Sequence, residues 1–265
     1  MSAPLDVIIP AYGGTDLTWR CLMHFWLFGP PKSRVVVVDD ASPDETPKIG
    51  AWLERGKSAI YVRHSENQGC TRSWITGLKA TEEDPARYVL FLNNDACVMP
   101  GTVPMMLKTA EAGYRIVCAK ERNGSIEQGF DPGLYLPQQN VSELKLELGI
   151  FQGGCFLIER SLFDETGGFD PNLAHGFGDT DFLLRCRERG VGPVTVEQAV
   201  VYHGSSVSSK RMGLQKTMSI YRRDRDAFRE KWKEFPAILD EVAMGDLAQS
   251  DLLAICQAGW EKGEK

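Results

Sequence analysis

Four residues have the types and positions to do chemistry together: Asp40, Asp95, Asp179 and His203. Asp95 ends the stretch Tyr88-Val89-Leu90-Phe91-Leu92-Asn93-Asn94-Asp95, where an apolar run passes into short polar residues. That pattern predicts a buried strand with an acidic tip. A carboxylate there is the hard oxygen ligand that Mg²⁺ or Mn²⁺ prefers, and the metal would bridge diphosphate oxygens. Asn94 can hydrogen-bond a ribose hydroxyl, and Asn93 shapes the turn. The competing reading is a plain strand-to-loop turn, for which Asn and Asp are well suited.

Asp40 follows four valines and can accept hydrogen bonds from the N–H groups of a nucleobase. Its neighbour Asp39 is the alternative, and capping or loop support would also account for the pair. Asp179 follows Phe177-Gly178 at the start of a helical stretch. There it either caps the helix or serves as a general base toward an acceptor hydroxyl. Asp181 and Arg185 stand at i, i+4, so they pair along that helix and Asp181 has a structural task. His203 follows Val200-Val201-Tyr202. A satisfied structural histidine and a metal ligand are both open readings for it.

Strands and helices in alternation must position these residues. Asp6 to Pro10, Arg34 to Asp40, Ser58 to Arg63 and Tyr88 to Leu92 read as strands. Helices are expected from Thr15 or Asp16 to Phe28, after Pro43 through Leu53, and after Asn67-Gln68-Gly69 to Ala80. This β-α-β-α-β-α-β order predicts a mostly parallel sheet with helices on both faces. Ligands in such sheets bind beyond the carboxyl ends of the strands, and the four residues, each at a strand or helix end, converge on that edge if the strands are parallel. Further on, a helix is expected from Pro100 to Gly113 and a strand through Ile116 to Ala119. Residues 121–147 read as a loop or small hairpin insertion. Ile150 to Glu159 reads as strand, with Gly153-Gly154 marking close backbone approach. A short helix over 162–168, a helix over 179–190 and strand over 191–203 follow. Gly204 to Ser209 reads as a hinge. Two amphipathic helices, 212–234 and 237–260, form a C-terminal appendage, so the expected division is 1–205 and 206–265.

The 265 residues suffice for one large α/β domain with an appendage. A net charge of −6 argues against general nucleic-acid binding. The seven cysteines are scattered without a C-x-x-C pair, which suits reduced thiols in a cytoplasmic protein. No apolar run reaches the length of a membrane span, so a lipid-linked acceptor would require peripheral membrane association.

In order, Val7 to Tyr12, Val38 to Asp44, Asn67 to Gly69 and Leu92 to Asp95 resemble the family 2 inverting glycosyltransferases, which have the GT-A fold. Gly154 to Arg160, Gly167 to Asp170, Gly178 to Arg185 and Val201 to His203 continue the likeness, which covers about residues 4–205. Arg229-Glu230-Lys231-Trp232 resembles the tail of rhamnosyltransferase-like members. The resemblance implies a nucleoside-diphosphate sugar donor, foremost a UDP-sugar, and a divalent cation. Pro10, Ala11 and Tyr12 would line the nucleoside pocket, Asp40 would read the base, and Gly69 would let backbone approach the nucleotide. Asn93-Asn94-Asp95 stands at the family's D-x-D motif, with Asp95 on the metal and Asn94 facing the ribose. Asp179 matches the catalytic base, and His203 a histidine that completes the metal or diphosphate site.

Three positions depart from the pattern: Asn93 for the first acid, Gly178 for the usual Glu, and Trp74-Ile75 where an Asn is common. They bear on the donor more than on the reaction. Arg72, Arg211, Arg222 and Arg223 are either phosphate or acceptor contacts or solvated charges. A sugar nucleotidyltransferase is disfavoured, since the Ala11 to Asp16 loop carries no basic residue. A non-catalytic sugar-binding module is the other alternative. Acceptor selection is expected from 121–147 and the C-terminal helices.

Overall fold

The computed structural model describes residues 5–56, 59–123, 144–149, 151, 153–204, 214–236 and 239. Four parallel strands make one half of the sheet: β1 (Asp6–Ala11), β2 (Arg34–Asp39), β3 (Ile60–Arg63) and β4 (Tyr88–Leu92). Between them run α1 (Thr15–Phe28), α2 (Thr46–Gly56) and α3 (Cys70–Lys79). The remaining elements are β5 (Ala96–Val98), α4 (Thr102–Glu111), β6 (Ile116–Asn123), β7 (Leu146–Leu148), β8 (Cys155–Glu159), α5 (Ser161–Thr166), α6 (Gly178–Arg187), β9 (Val194–His203) and α7 (Leu214–Lys231). The strand order is β3-β2-β1-β4-β8-β6-β9-β5, with β7 also paired to β9.

The second half of the sheet is mixed. β8 runs antiparallel to both β4 and β6, while β6 and β9 are parallel. β5 and β7 are antiparallel to β9. The expected doubly covered α/β architecture therefore holds, with the antiparallel strands gathered downstream of β4. Three segments differ from the sequence expectation, one of them the strand read over Ile150 to Glu159, which begins only at Cys155 after a turn at Gly153-Gly154. β5 was hidden because three residues give too little periodicity to register. β6 continues past Ala119 to Asn123, through polar residues that read as loop. The ladder to β9 shifts register between Ala119 and Lys120, and Lys120 then reaches Glu147 and Glu197 across the strands. The predicted insertion over 121–147 thus begins and ends in sheet, and its 124–143 lies outside the described residues. So do 205–209 of the expected hinge, residues 210–213 and most of the second C-terminal helix.

Period-2 alternation divides the apolar residues between two faces. Val7, Ile9, Leu90, Leu92, Val117 and Leu157 pack on one face, with Cys21, Leu22 and Phe25 of α1. Ile8, Val89, Phe91, Ile116, Phe156 and Ile158 pack on the other with Trp74 of α3 and Phe182 of α6. α1 buries Thr18, Cys21, Leu22 and Phe25, which is the i, i+3, i+4, i+7 stripe of a helix lying on a sheet. α3 approaches closely at Gly77, where a Cβ would stand 2.4 Å from Ile8 Cγ2. Among the described residues, no helix is long and apolar enough to cross a membrane.

The amino end of the sheet is fastened by Asp6, which is fully buried. It accepts hydrogen bonds from Arg34 Nε at 2.8 Å, from the Ala86 N–H at 3.0 Å and from Arg160. Removing one member of a buried charge cluster strands the others. Asp6→Ala is expected to lower unfolding free energy by about 3 kcal/mol in urea titrations. Ligand affinity at the opposite end should be unchanged.

Candidate active site

The carboxyl ends of β1, β2, β4, β6 and β9 open on one edge, and the amino end of antiparallel β8 meets them there. Register does the positioning. Leu92 pairs with Cys155, so the Asn93 N–H donates to Gly154 O at 3.0 Å. Ala96 pairs with His203, which sets Asp95 beside that ring. His203 Nε2 lies 3.2 Å from Asp95 Oδ1, and Nδ1 lies 2.9 Å from Glu121 Oε2. Burial opposes charge on this imidazole, but the hydrogen bonds and charges of Asp95 and Glu121 push its pKa up to about 10. Glu121 is held low in turn: burial raises its pKa, but His203 and the Gly154 N–H more than offset that.

Glu121 was missed from sequence, because its polar neighbours disguised the end of β6. An acid one turn of pleat beyond an apolar strand was the available signal. The close approach predicted at Gly153-Gly154 is now explained. A Cβ on Gly154 would stand 2.6 Å from His203 Nδ1 and 3.0 Å from Glu121 Oε1.

Asp40 is buried and its carboxylate organises the loop before α3. Oδ1 accepts from His64 Nδ1 at 2.7 Å and the Gln68 N–H at 2.7 Å, and Oδ2 from the Gly69 N–H at 2.8 Å. A carboxylate has about four acceptor positions, so one on Oδ2 remains. Asp39 faces other partners: it accepts from the Ser42 N–H at 2.8 Å, from Tyr61 and from Arg63. Gly69 has φ of 100°, and a Cβ there would meet Ala174 O at 2.4 Å. The glycine therefore serves contact with the 173–178 turn, in addition to any approach by ligand.

Pro10 and Ala11 end β1 in the core, and Tyr12 emerges half-buried. The following turn is tied down by the Gly13 N–H to Ser42 Oγ (2.8 Å) and the Gly14 N–H to Asp44 Oδ2 (2.6 Å). Burial would raise the Asp44 pKa, but hydrogen bonds from Thr46, Thr15 and Gly14 bring it down to about 2. Asn94 belongs to this turn. Its amide donates to Gly13 O at 3.0 Å and Thr18 Oγ1 at 2.9 Å. Read from sequence as a ribose contact, Asn94 uses its amide nitrogen to fasten the β4 tip to the β1–α1 turn, because those acceptors are buried and need a donor. The Asn93 amide lies 3.2 Å from His203 Nε2.

Asp179 is in the first turn of α6, near Gly153: a Cβ there would lie 3.8 Å from Asp179 Oδ2. Burial raises its pKa, and the opposing hydrogen bonds come from its own backbone and from Thr180. The Cys70 thiol at the start of α3 is raised by burial and by the charges of Asp179, Asp40 and Asp95. All three carboxylates thus lie within electrostatic reach of the Cys70 thiol, and His203 lies beside Asp95. Gly178 stands where a Glu was expected, and a Cβ there would lie 2.3 Å from Thr71 Oγ1. That contact excludes the larger residue from this backbone.

Arg72 donates to Pro171 O at 2.8 Å, and Arg223 pairs with Asp224 at 2.9 Å. Arg222 is exposed, and Arg211 lies outside the described residues. Among the described residues there is no group of three or more Asp, Glu, His or Cys able to hold a metal. Asp95 and His203 supply one oxygen and one nitrogen, a set that suits Mn²⁺ or Mg²⁺ when a diphosphate provides the rest.

Gly154→Ala is expected to force the His203 ring off Asp95. It should cost about 1–3 kcal/mol by chemical denaturation and shift the His203 ring resonances in NMR spectra. Wild-type stability and unmoved resonances would contradict the packing described.

A sequence model described as "Glycosyl transferase family 2" matches residues 6–167. An uncharacterized glycosyltransferase of Rickettsia prowazekii (strain Madrid E) is 24% identical over 190 residues, 64% of this chain and 55% of its own length. A mannosyltransferase of Pyrobaculum calidifontis, solved with GDP-Man and Mn²⁺, superposes with a TM-score of 0.59 at 22% identity, over 77% of this chain and 57% of that one. GalNAc-T7, solved with UDP, GalNAc and Mn²⁺, gives 0.61 at 17%, over 76% and 44%. The chain spans about half the length of these relatives, and the two structures establish the likeness of fold. With its GT-A architecture and a family match over more than half its length, the chain belongs to glycosyl transferase family 2.

Proposed function

We propose that the protein transfers a sugar from a nucleoside-diphosphate donor, foremost a UDP-sugar, to an acceptor hydroxyl with inversion at the anomeric carbon. The observation that carries this reading is the contrast among carboxylates at the site. Asp39 and Asp40 each accept three hydrogen bonds from protein donors elsewhere in the fold, whereas among the described residues Asp179 accepts hydrogen bonds only from its own helix start. A half-buried carboxylate with spare acceptor positions and a raised pKa is suited to take a proton.

In this reading Pro10, Ala11 and Tyr12 hold the nucleoside, and the remaining acceptor position on Asp40 reads a base N–H. Asp95 and His203 hold a divalent cation with the diphosphate, and Glu121 fixes the ring orientation of His203. The cation would offset charge on the departing nucleoside diphosphate. Asp179 takes the proton from the acceptor hydroxyl as its oxygen attacks the anomeric carbon. The bond from that carbon to the diphosphate oxygen breaks on the opposite face, and the electron pair leaves with the nucleotide. A hexosyl or deoxyhexosyl group, the rhamnosyl class included, suits the resemblance of the C-terminal tail. The division at 205/206 is proposed at the boundary between sheet and C-terminal helix. The acceptor is a glycan, a lipid-linked glycan or another hydroxyl compound.

Assay with UDP-, dTDP- and GDP-sugars and Mn²⁺ tests the reading, with donor hydrolysis as the readout when no acceptor is supplied. Asp179→Asn should cut turnover by about 10²–10⁴-fold. Absence of turnover with every donor, or full turnover by Asp179→Asn, would contradict it.

The raised Asp179 pKa gives a pH dependence with a definite sign. The base must be ionised, so kcat falls on the acid side, at a pH above that of an ordinary aspartate near 4. Linkage runs the other way: a carboxyl raised in the folded state stabilises the fold at low pH and loses that contribution as pH rises through its folded pKa. Asp179→Asn is therefore expected to raise the melting temperature at neutral pH by a few degrees, about 2–4 °C. Equal melting temperatures would show that Asp179 is not desolvated.

With one carboxylate and one protonated imidazole, the free protein should bind Mn²⁺ weakly. Calorimetry is expected to show tight binding only when UDP is present, and Glu121→Ala should weaken that binding about 10–100-fold. Tight Mn²⁺ binding without nucleotide would contradict the ligand set.

A further inference from the structure

Helix α7 carries a fully buried aspartate on its packed face. Tyr221, Asp224, Phe228 and Trp232 follow i, i+3, i+7, i+11 spacing, and Phe228 and Trp232 pack on Leu173, Phe177 and Leu184. An acid on an apolar stripe is costly unless donors meet it. Here the donors are backbone: Asp224 Oδ2 accepts from the His175 N–H at 2.7 Å and the Gly176 N–H at 3.1 Å. Arg223 covers Oδ1 at 2.9 Å from the solvent side.

The turn so held leads straight into Asp179. Phe177 adopts a left-handed conformation with φ of 60°, unusual for a bulky residue, and its ring stacks on Phe228 at 5.1 Å. Its carbonyl then starts α6 by accepting from the Asp181 N–H at 2.8 Å. On the other side of Asp179 the contact is reciprocal. Asp181 Oδ1 accepts from Trp232 Nε1 at 3.0 Å and from Lys231 Nζ at 2.8 Å, both belonging to the C-terminal end of α7 and the turn beyond it. Asp179 is thus bracketed, with Gly176 three residues before it and Asp181 two after it both anchored to that segment. The same turn meets the donor side, since the Thr71 N–H donates to Ala174 O at 2.9 Å.

We propose that Asp224 is a positioning residue for Asp179: from the C-terminal helix it fixes the His175–Gly176 turn, and through it the left-handed Phe177 cap that aims the carboxylate at the site. The inference rests on Asp179 acting as the base. A purely structural clamp would predict loss of stability alone. Positioning predicts a defect in the chemical step, because sub-ångström to 1 Å misplacement of a reacting group costs up to about 10²-fold.

The test compares Asp224→Ala and Asp224→Asn in the full chain, with Mn²⁺ and an active nucleotide sugar. Asp224→Ala is expected to lower kcat by about 10–100-fold with the donor KM near the wild-type value. Its acid limb should move to lower pH as Asp179 becomes hydrated. Asp224→Asn keeps an acceptor oxygen and should restore most of kcat. Wild-type kcat and acid limb in Asp224→Ala, with only a lower melting temperature, would overturn the proposal. Amide hydrogen exchange separates this from failure of the enzyme reading. Faster exchange at residues 175–181 in Asp224→Ala supports the clasp whatever the turnover, and unchanged exchange there overturns it. Absence of turnover in the wild type, together with faster exchange in Asp224→Ala, would count against the enzyme reading alone.

Discussion

A carboxylate removed from water must find donors, and this requirement shapes the whole carboxyl edge of the sheet. Asp39 closes on Ser42, Tyr61 and Arg63; Asp40 on His64, Gln68 and Gly69; Asp44 on the first turn. Asp95 and Glu121 share His203, and Asp181 and Asp224 join α6 and its preceding turn to α7. Each of these acids determines the path of a loop by gathering backbone or side-chain donors. Asp179 lacks such remote donors among the described residues, and burial raises its pKa accordingly. The loops hold their shape so that one carboxylate can remain poorly paired.

The same logic changes the standing of the C-terminal helix. It is bound to the rest by a small apolar cluster and by carboxylates contributed from both sides. The contacts fall on the residues flanking Asp179, so the helix supports the site as well as extending the fold. The described part of the C-terminal segment, residues 214–236, is therefore not energetically separable from the sheet, wherever a boundary is drawn by sequence.

The first four strands and their helices were legible because alternation of apolar residues and glycine or proline stops dominate their energetics. Asp40, Asp95, Asp179 and His203 were legible as strand-end or helix-start residues, and the fold brings them to one edge. What escaped were features that depend on long-range pairing. β5 is three residues long and exists because Ala96 meets His203. The end of β6 is polar along Lys120 to Asn123, and only pairing with β9 makes it strand. Glu121 went unnoticed with it. Asn94 reads as a ribose contact, and the bonds of its amide nitrogen to Gly13 and Thr18 depend on pairing that the sequence does not display. Asp224 reads in sequence as one more charge on a highly charged helix, and only its exposure of 0% reveals otherwise.

In the proposed reaction Asp179 faces the acceptor side of a sugar whose diphosphate sits at Asp95 and His203. A crystal structure with Mn²⁺ and a non-transferable nucleotide-sugar analogue tests it most directly. The account predicts the nucleoside against Pro10 to Tyr12 and Asp40, the metal between the diphosphate and Asp95, and Asp179 on the face of the anomeric carbon opposite the leaving group. A donor bound with its anomeric carbon turned away from Asp179, or a metal held without Asp95, would contradict it.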